Sequence, residues 1–149
     1  MVVLYDPRYK DVFRNLNLAW IEKYFRVESK DVEQTENPEE CLRQGGQIFF
    51  IVDGERAVGT CAIYFLSPKT YELAKMAVDP AYQGHGFGDL LMTAAEDWVR
   101  AQGGTEINIL SNTVLEPAIR LYHKHGYITT HLGPHPDYER ANIELKKKL

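Results

Sequence analysis

The stretch from Thr70 to Trp98, TYELAKMAVDPAYQGHGFGDLLMTAAEDW, confines the fold more than any other part of the chain. Its opening TYELAKMAVD alternates as a strand does, and Asp79-Pro80 closes it. Glycines follow at 84, 86 and 88, and an apolar stripe begins at once with Leu90, Leu91, Ala94, Ala95, Trp98 and Val99. That stripe is the core face of a helix over Asp89 to Gln102, which Gly103-Gly104 stops. A strand, a glycine loop and a helix in that order open the backbone N–H groups of the loop onto a helix N-terminus. Such a nest, with the helix dipole behind it, binds an anion without side-chain charge.

Spacing decides among the phosphate loops. A dinucleotide fingerprint needs GxGxxG, and here Gly84-x-Gly86 is followed by Gly88, one place early. That fold also needs an acid at the end of the next strand, whereas Glu106 sits at the start of its strand. A Walker A loop is excluded, since no Gly-Lys-Ser/Thr occurs. A tight strand-to-helix turn with no ligand remains the plain alternative.

The rest of the chain supplies the frame. Phe13, Leu16, Trp20 and Tyr24 recur at helical spacing and predict an amphipathic helix over Asp11 to Phe25. ESKDVEQTENPEECLRQGG is acidic and turn-rich, with a short helix expected only around Pro38 to Arg43. QIFFIVD and ERAVGTCAIYFL read as strands joined by a hairpin at Asp53-Gly54. TEINILSN is a further strand, EPAIRLYHKHG a short helix with Pro117 in its first turn, and YITTHL and YERANIELKKKL two final strands around GPHPD. The order is helix, antiparallel strands, helix, strand, helix, two strands: a single mixed α/β domain over 1–149, not a doubly wound one.

A formal net charge of −4 argues against a general nucleic-acid surface, and the only basic run, Lys146-Lys147-Lys148, reads as a solvated strand end. Cys41 and Cys61 form no CxxC pair and no disulfide framework, which favours a reducing, cytoplasmic setting. No apolar run has transmembrane length, so no membrane partner is expected. His123 and His125 lie two apart and on different helical faces, and His131 and His135 add no zinc spacing, so no metal site is expected. No GxSxG and no Cys-His arrangement supports covalent acyl-enzyme chemistry.

The loop resembles the signature of the GNAT acyl-CoA-dependent N-acyltransferases, Arg/Gln-x-x-Gly-x-Gly/Ala, at Gln83, Gly86 and Gly88. The preceding LAKMAVDPAYQ looks like the central strand of that family, and SNTVLEPAIRLYHKHGY is similar to its last helix with the closing Gly-aromatic pair. The resemblance runs from about Phe50 to Leu149. It implies a mixed, mostly antiparallel sheet flanked by helices, with central strands splayed at a CoA site. It implies direct transfer of an acetyl group from acetyl-CoA to a primary amine, on a small molecule or a peptide.

Residue by residue, the resemblance implies that the main chain of Met76, Ala77 and Val78 pairs with the pantetheine arm. It implies that Gln83, Gly84, His85, Gly86, Phe87, Gly88 and Asp89 wrap the pyrophosphate. His85 and Asp89 depart from the family, which often carries basic or small residues there. Asp89 suits the helix dipole but repels a pyrophosphate, so weaker charge assistance is expected. Tyr122 matches the general acid that protonates the departing thiolate, although its helical face with Leu115, Ala118 and Ile119 alone reads as core. Glu72 precedes Gln83 by 11 positions, where histone-type members place a catalytic glutamate; a solvated strand glutamate, or deprotonation through water, stays open. Tyr71, Asp137 or Tyr138 could line the acceptor side. Asn112 resembles an asparagine that contacts the pantetheine, though its interval to Tyr122 is longer than is common, and it could cap the helix instead.

Two other classes stay in view: a catalytically silent acyl-CoA sensor on the same fold, and a nucleotide-binding regulator using the glycine loop. The net acidity favours cationic acceptors only weakly, and a homodimer is common among relatives.

Overall fold

The computed structural model describes residues 1–136 and 140–149. Its elements are β1 (Val2–Leu4), α1 (Lys10–Tyr24), α2 (Ser29–Glu36), α3 (Pro38–Arg43), β2 (Gln47–Asp53), β3 (Arg56–Ser67), β4 (Thr70–Val78), α4 (Phe87–Ala101), β5 (Glu106–Ser111), α5 (Glu116–Lys124), β6 (Ile128–Leu132) and β7 (Ile143–Lys148). The strands form one sheet in the order β1-β2-β3-β4-β5-β7-β6, antiparallel throughout except for the parallel pair β4/β5. None of the described helices is long and apolar enough to cross a membrane.

Both faces of β2 are covered. Phe49 and Ile51 pack into the larger core under α4, with Leu91, Met92, Ala95 and Val99. Ile48 and Phe50, on the opposite face by the two-residue strand period, pack with Phe13 of α1 and Cys41 of α3. QIFFIVD is therefore a continuous apolar run, not an alternating one, because neither side meets water.

Two elements escape the sequence pattern. β1 has three residues, and its pairing with β2 from Val2↔Ile51 to Leu4↔Phe49 decides its state. α2 lies in the stretch read as turns. Its start is a capping box built by acids: the Glu28 side chain accepts from the backbone of Asp31, and Asp31 Oδ2 accepts from the Glu28 N–H at 2.9 Å. Its buried face is Asp31 and Thr35, so no apolar period marks it. α4 begins two residues earlier than the apolar stripe suggests, because left-handed Gly86 caps it.

The sheet parts in the middle. β4 pairs with β5 only from Thr70↔Glu106 to Leu73↔Ile109. Beyond that point β4 stays with β3 as far as Val78↔Gly59, and β5 stays with β7 as far as Ser111↔Ile143. A bulge bends β4 where they separate: Ala74 pairs with Ala62 but Ala77 pairs with Thr60, so Lys75 and Met76 oppose the single residue Cys61. Lys75 takes φ +57 there, the left-handed region, which costs an L-residue about 1–2 kcal/mol.

Candidate active site: a cleft through the parted sheet

A cleft of about 750 Å³ passes through this gap. On the α4/α5 side it is walled by Phe87, Gly88, Leu121 and Tyr122; on the α1 side by Trp20, Ile21 and Phe25. Glu72 and Tyr122 reach it from opposite faces of the sheet. Tyr122 belongs to the core under α4. Glu72 lies between Tyr71 and Leu73, which point into that core, so its own side chain leaves by the other face.

The edge of β4 from Ala74 to Val78 loses β5 as a partner and lines the gap, with Met76, Ala77 and Val78 at the wall. Gln83 folds back from the loop, its Nε2 donating to the Val78 carbonyl at 3.3 Å, and so ties the loop to the strand end. Gly84 and Gly86 take φ +81 and +78, and an added Cβ would meet nothing within 4 Å at either position. Glycine serves the backbone conformation at these two places. Gly88 serves packing: a Cβ there would stand 3.0 Å from Leu121 Cδ2, so its absence lets α5 approach α4. Phe87 stacks on Tyr82 with ring centroids 6.1 Å apart.

The structure adds side-chain detail at three of the expected positions. His85 does not line the cleft. It is exposed on the loop, its Nδ1 placed to donate to the carbonyls of Tyr82 at 2.9 Å and Gln83 at 3.1 Å, which staples the turn. Asp89 is not a bare acid, since its Oδ1 accepts from Lys124 Nζ at 2.9 Å and His125 Nε2 at 2.7 Å. The Lys124 bond, and then the His125 bond, hold its carboxyl below the usual range. Asn112 lines the cleft but does not cap α5, whose N-cap is Leu115. Its Nδ2 donates to the Arg140 carbonyl at 2.7 Å and its Oδ1 accepts from the Val114 N–H at 2.9 Å, so the side chain ties the end of β5 to the segment before β7.

Tyr122 is 8% exposed, and burial pushes its phenol up to about 12, so it carries its proton throughout the neutral range. Among the described residues its hydroxyl makes no hydrogen bond. Burial likewise raises the Glu72 carboxyl, against the pull of Lys75, Lys30 and His135. Tyr71 does not line the acceptor side: it is buried, edge-on to Trp98 at 5.8 Å and to Phe65 at 5.6 Å. Asp137 and Tyr138 lie outside the described residues. Among the described residues no group of three His, Cys, Asp or Glu side chains could hold a metal ion.

Three cleft-side charges escape sequence reasoning. Asp31, 2% exposed, takes two hydrogen bonds from the Arg140 guanidinium: Nη1 to Oδ2 at 2.9 Å, and Nη2 to Oδ1. Arg140 also lies 5.7 Å from the Phe25 ring centroid. The third is Lys75. One signal was available: Glu72 and Lys75 are three apart, and strict alternation cannot put both on one wall. Both do line the cleft, and the bulge is the reason.

The wall offers an unpaired strand edge along β4 and, at the mouth, a left-handed glycine turn opening on the N-terminus of α4, a place suited to an anion. Residues 12–127 match the family model described as the Acetyltransferase (GNAT) family, and the chain belongs to that family. A segment of 93 residues, 62% of this chain, is 30% identical to the mycothiol acetyltransferase of Corynebacterium glutamicum. The match spans 31% of the length of that relative. The fold superposes on a GNAT-family acetyltransferase from Staphylococcus aureus Mu50 with a TM-score of 0.89, at 21% identity over 100% of this chain and 98% of that one. An aminoglycoside 6'-N-acetyltransferase solved with coenzyme A gives 0.77 at 18% identity, over 99% and 96%.

Proposed function

We propose that the chain transfers an acetyl group from acetyl-CoA to a primary amine by direct attack on the thioester. The observation that carries the reading is the through-going cleft, with Tyr122 and Glu72 reaching it from opposite faces of the sheet. A carrier held by β4 and the glycine turn and an amine entering past α1 would meet where the strands part, and holding the two partners together supplies much of the rate. Acetyl-CoA, when bound, supplies an activated acyl group. Glu72, directly or through a water, takes the proton of the incoming ammonium; its raised carboxyl makes it the better base. Main-chain N–H near Val78 faces the charge that develops on the carbonyl oxygen. Tyr122 gives its proton to the sulfur as the C–S bond breaks, its buried phenol being in the acid form for that step, and the second proton lost by the nitrogen as the amide forms restores the phenol.

The test is to incubate the protein with acetyl-CoA and a broad amine and peptide panel and follow free thiol. Release with at least one acceptor is expected. Acetyl-CoA binding by calorimetry with no release across the panel would sink transfer and leave an acyl-CoA sensor.

A further inference from the structure

Among the described residues, the acceptor end of the cleft holds a lysine that closes no ion pair. Lys75 sits half-buried on the β4 bulge, in a left-handed conformation that a glycine would adopt freely. A strained residue facing a cleft is an observation from which function can be argued. Among the described residues two carboxylates lie in its field, Asp31 and Glu72. Asp31 is spent on the Arg140 guanidinium and on the N–H of Glu28. Glu72 lines the same wall but closes no ion pair with Lys75. Arg140 and Lys30 add positive charge around it. Among the described residues the Lys75 ammonium makes no hydrogen bond and no ion pair. Burial pushes it down, the mark of a charge short of solvation.

A desolvated ammonium without a partner is costly until an anion reaches it. A polyamine or another purely cationic acceptor would add to the strain. An acceptor with both signs relieves it at two points, its amine at Glu72 and its anion at Lys75. The two side chains come from one strand, three residues apart, and line one wall. Two receiving groups on one strand call for an amine and an anion carried by one small acceptor. Trp20 and Ile21 of α1 and Phe25 just after it give the same cleft apolar and aromatic surface.

We infer that the acceptor is a free α-amino acid, its carboxylate received by Lys75, its amine presented at Glu72, and an apolar or aromatic side chain laid against Trp20 and Phe25. This rests on the transfer reading above, in that the amine enters beside Glu72. Lys75 acts on substrate selection, by contact with a group that does not react.

The experiment takes the best of the twenty amino acids from a thiol-release screen and compares it with its carboxamide, its decarboxylated amine and spermidine. For the wild type, kcat/KM for the free acid should exceed that for the carboxamide by about tenfold or more, as one charge-assisted contact allows. Lys75→Gln should abolish that excess, mainly through KM, and Lys75→Arg should keep most of it. Binding of the same acid in the presence of CoA, read by calorimetry, separates the two ideas. If no amine is acetylated but the acid still binds, and binds more weakly to Lys75→Gln, the recognition stands and transfer falls. If the carboxamide or spermidine is acetylated as well as the acid, or if Lys75→Gln leaves the acid-to-amide ratio unchanged, transfer stands and the recognition falls. An acid that neither binds nor reacts overturns it as well.

Discussion

At the α4 end of the cleft the wall is largely main chain: the free edge of β4, the left-handed turn at Gly84 and Gly86, and the N-terminus of α4. At the α1 end it is side chains: Glu72, Lys75 and Arg140 among Trp20 and Phe25. On the proposed reading, the difference follows from what each end would meet. A phosphate chain and a string of amides are recognised by backbone N–H and C=O groups, whose positions depend on φ and ψ more than on residue identity. An acceptor of particular shape and charge has to be met by particular side chains. Substitutions should therefore separate: at the α1 end they move acceptor recognition and stability, and at the α4 end they move CoA affinity. Tyr122 reaches the gap from the α4 side, and its hydroxyl should move neither.

The largest expected effect is at that meeting point. Tyr122→Phe removes one hydroxyl, which among the described residues makes no hydrogen bond, so folding and acetyl-CoA affinity should hold. The turnover number should fall by about a hundredfold or more, the range of a lost general acid. Steady-state thiol release, with circular dichroism as the check on folding, reads both. An unchanged turnover number would make Tyr122 a core residue and would remove it from the chemistry.

Next in size is Asp31→Asn at the α1 end. Asp31 is buried and Arg140 partly so, so removing the negative partner leaves a guanidinium poorly compensated. Loss of about 1–3 kcal/mol of stability is expected, below the full value of a wholly buried pair because Arg140 reaches solvent. Acetyl-CoA affinity should change by less than about twofold, since independent distant sites do not couple. Burial alone would raise the Asp31 carboxyl, but the Arg140 hydrogen bonds and the Glu28 N–H outweigh it and the net shift is downward from 3.8. The sign follows. A depressed carboxyl stabilises the fold above its unfolded value, and that stabilisation fades as pH falls through the folded value. Urea melts of wild type and variant should differ most near neutrality and converge below pH 3.8. A constant difference across that window would assign the loss to packing and not to the ion pair.

The same contrast explains what the sequence revealed. The α4 end was legible because it is local: strand, turn and helix are contiguous, and glycine spacing reports backbone conformation directly. Even there, the glycine spacing did not show that Gly88 also relieves helix packing against Leu121. Side-chain pairings across the chain were out of reach. Asp89 finds Lys124 and His125 about 36 residues on, and Asp31 finds Arg140 at a separation of 109. No periodicity encodes such meetings. α2 was missed because its buried face is polar and its cap is made by glutamate and aspartate, where Ser or Thr would have signalled a start. β1 was missed because three residues carry no period.

The smallest expected effect falls at the α4 end and bears on whether backbone alone holds the anion. Asp89 sits in the first turn of α4 and draws Lys124 and His125 onto itself. Its negative charge is thereby compensated, and so is the positive charge of the lysine, which is 67% exposed and free to turn elsewhere if released. Asp89→Asn keeps an oxygen that can accept one of the two bonds but gives up the charge that fixes Lys124. Acetyl-CoA affinity should then rise by about two- to fivefold at low salt, the scale of an exposed ion pair, and the gain should shrink as salt is added. Calorimetry at two ionic strengths measures it. A gain that persists at high salt would point to a change in loop geometry. No gain at all would mean that the cluster turns away from the phosphates, and the nest of N–H groups at Gly84 to Gly88 would then carry the anion unaided.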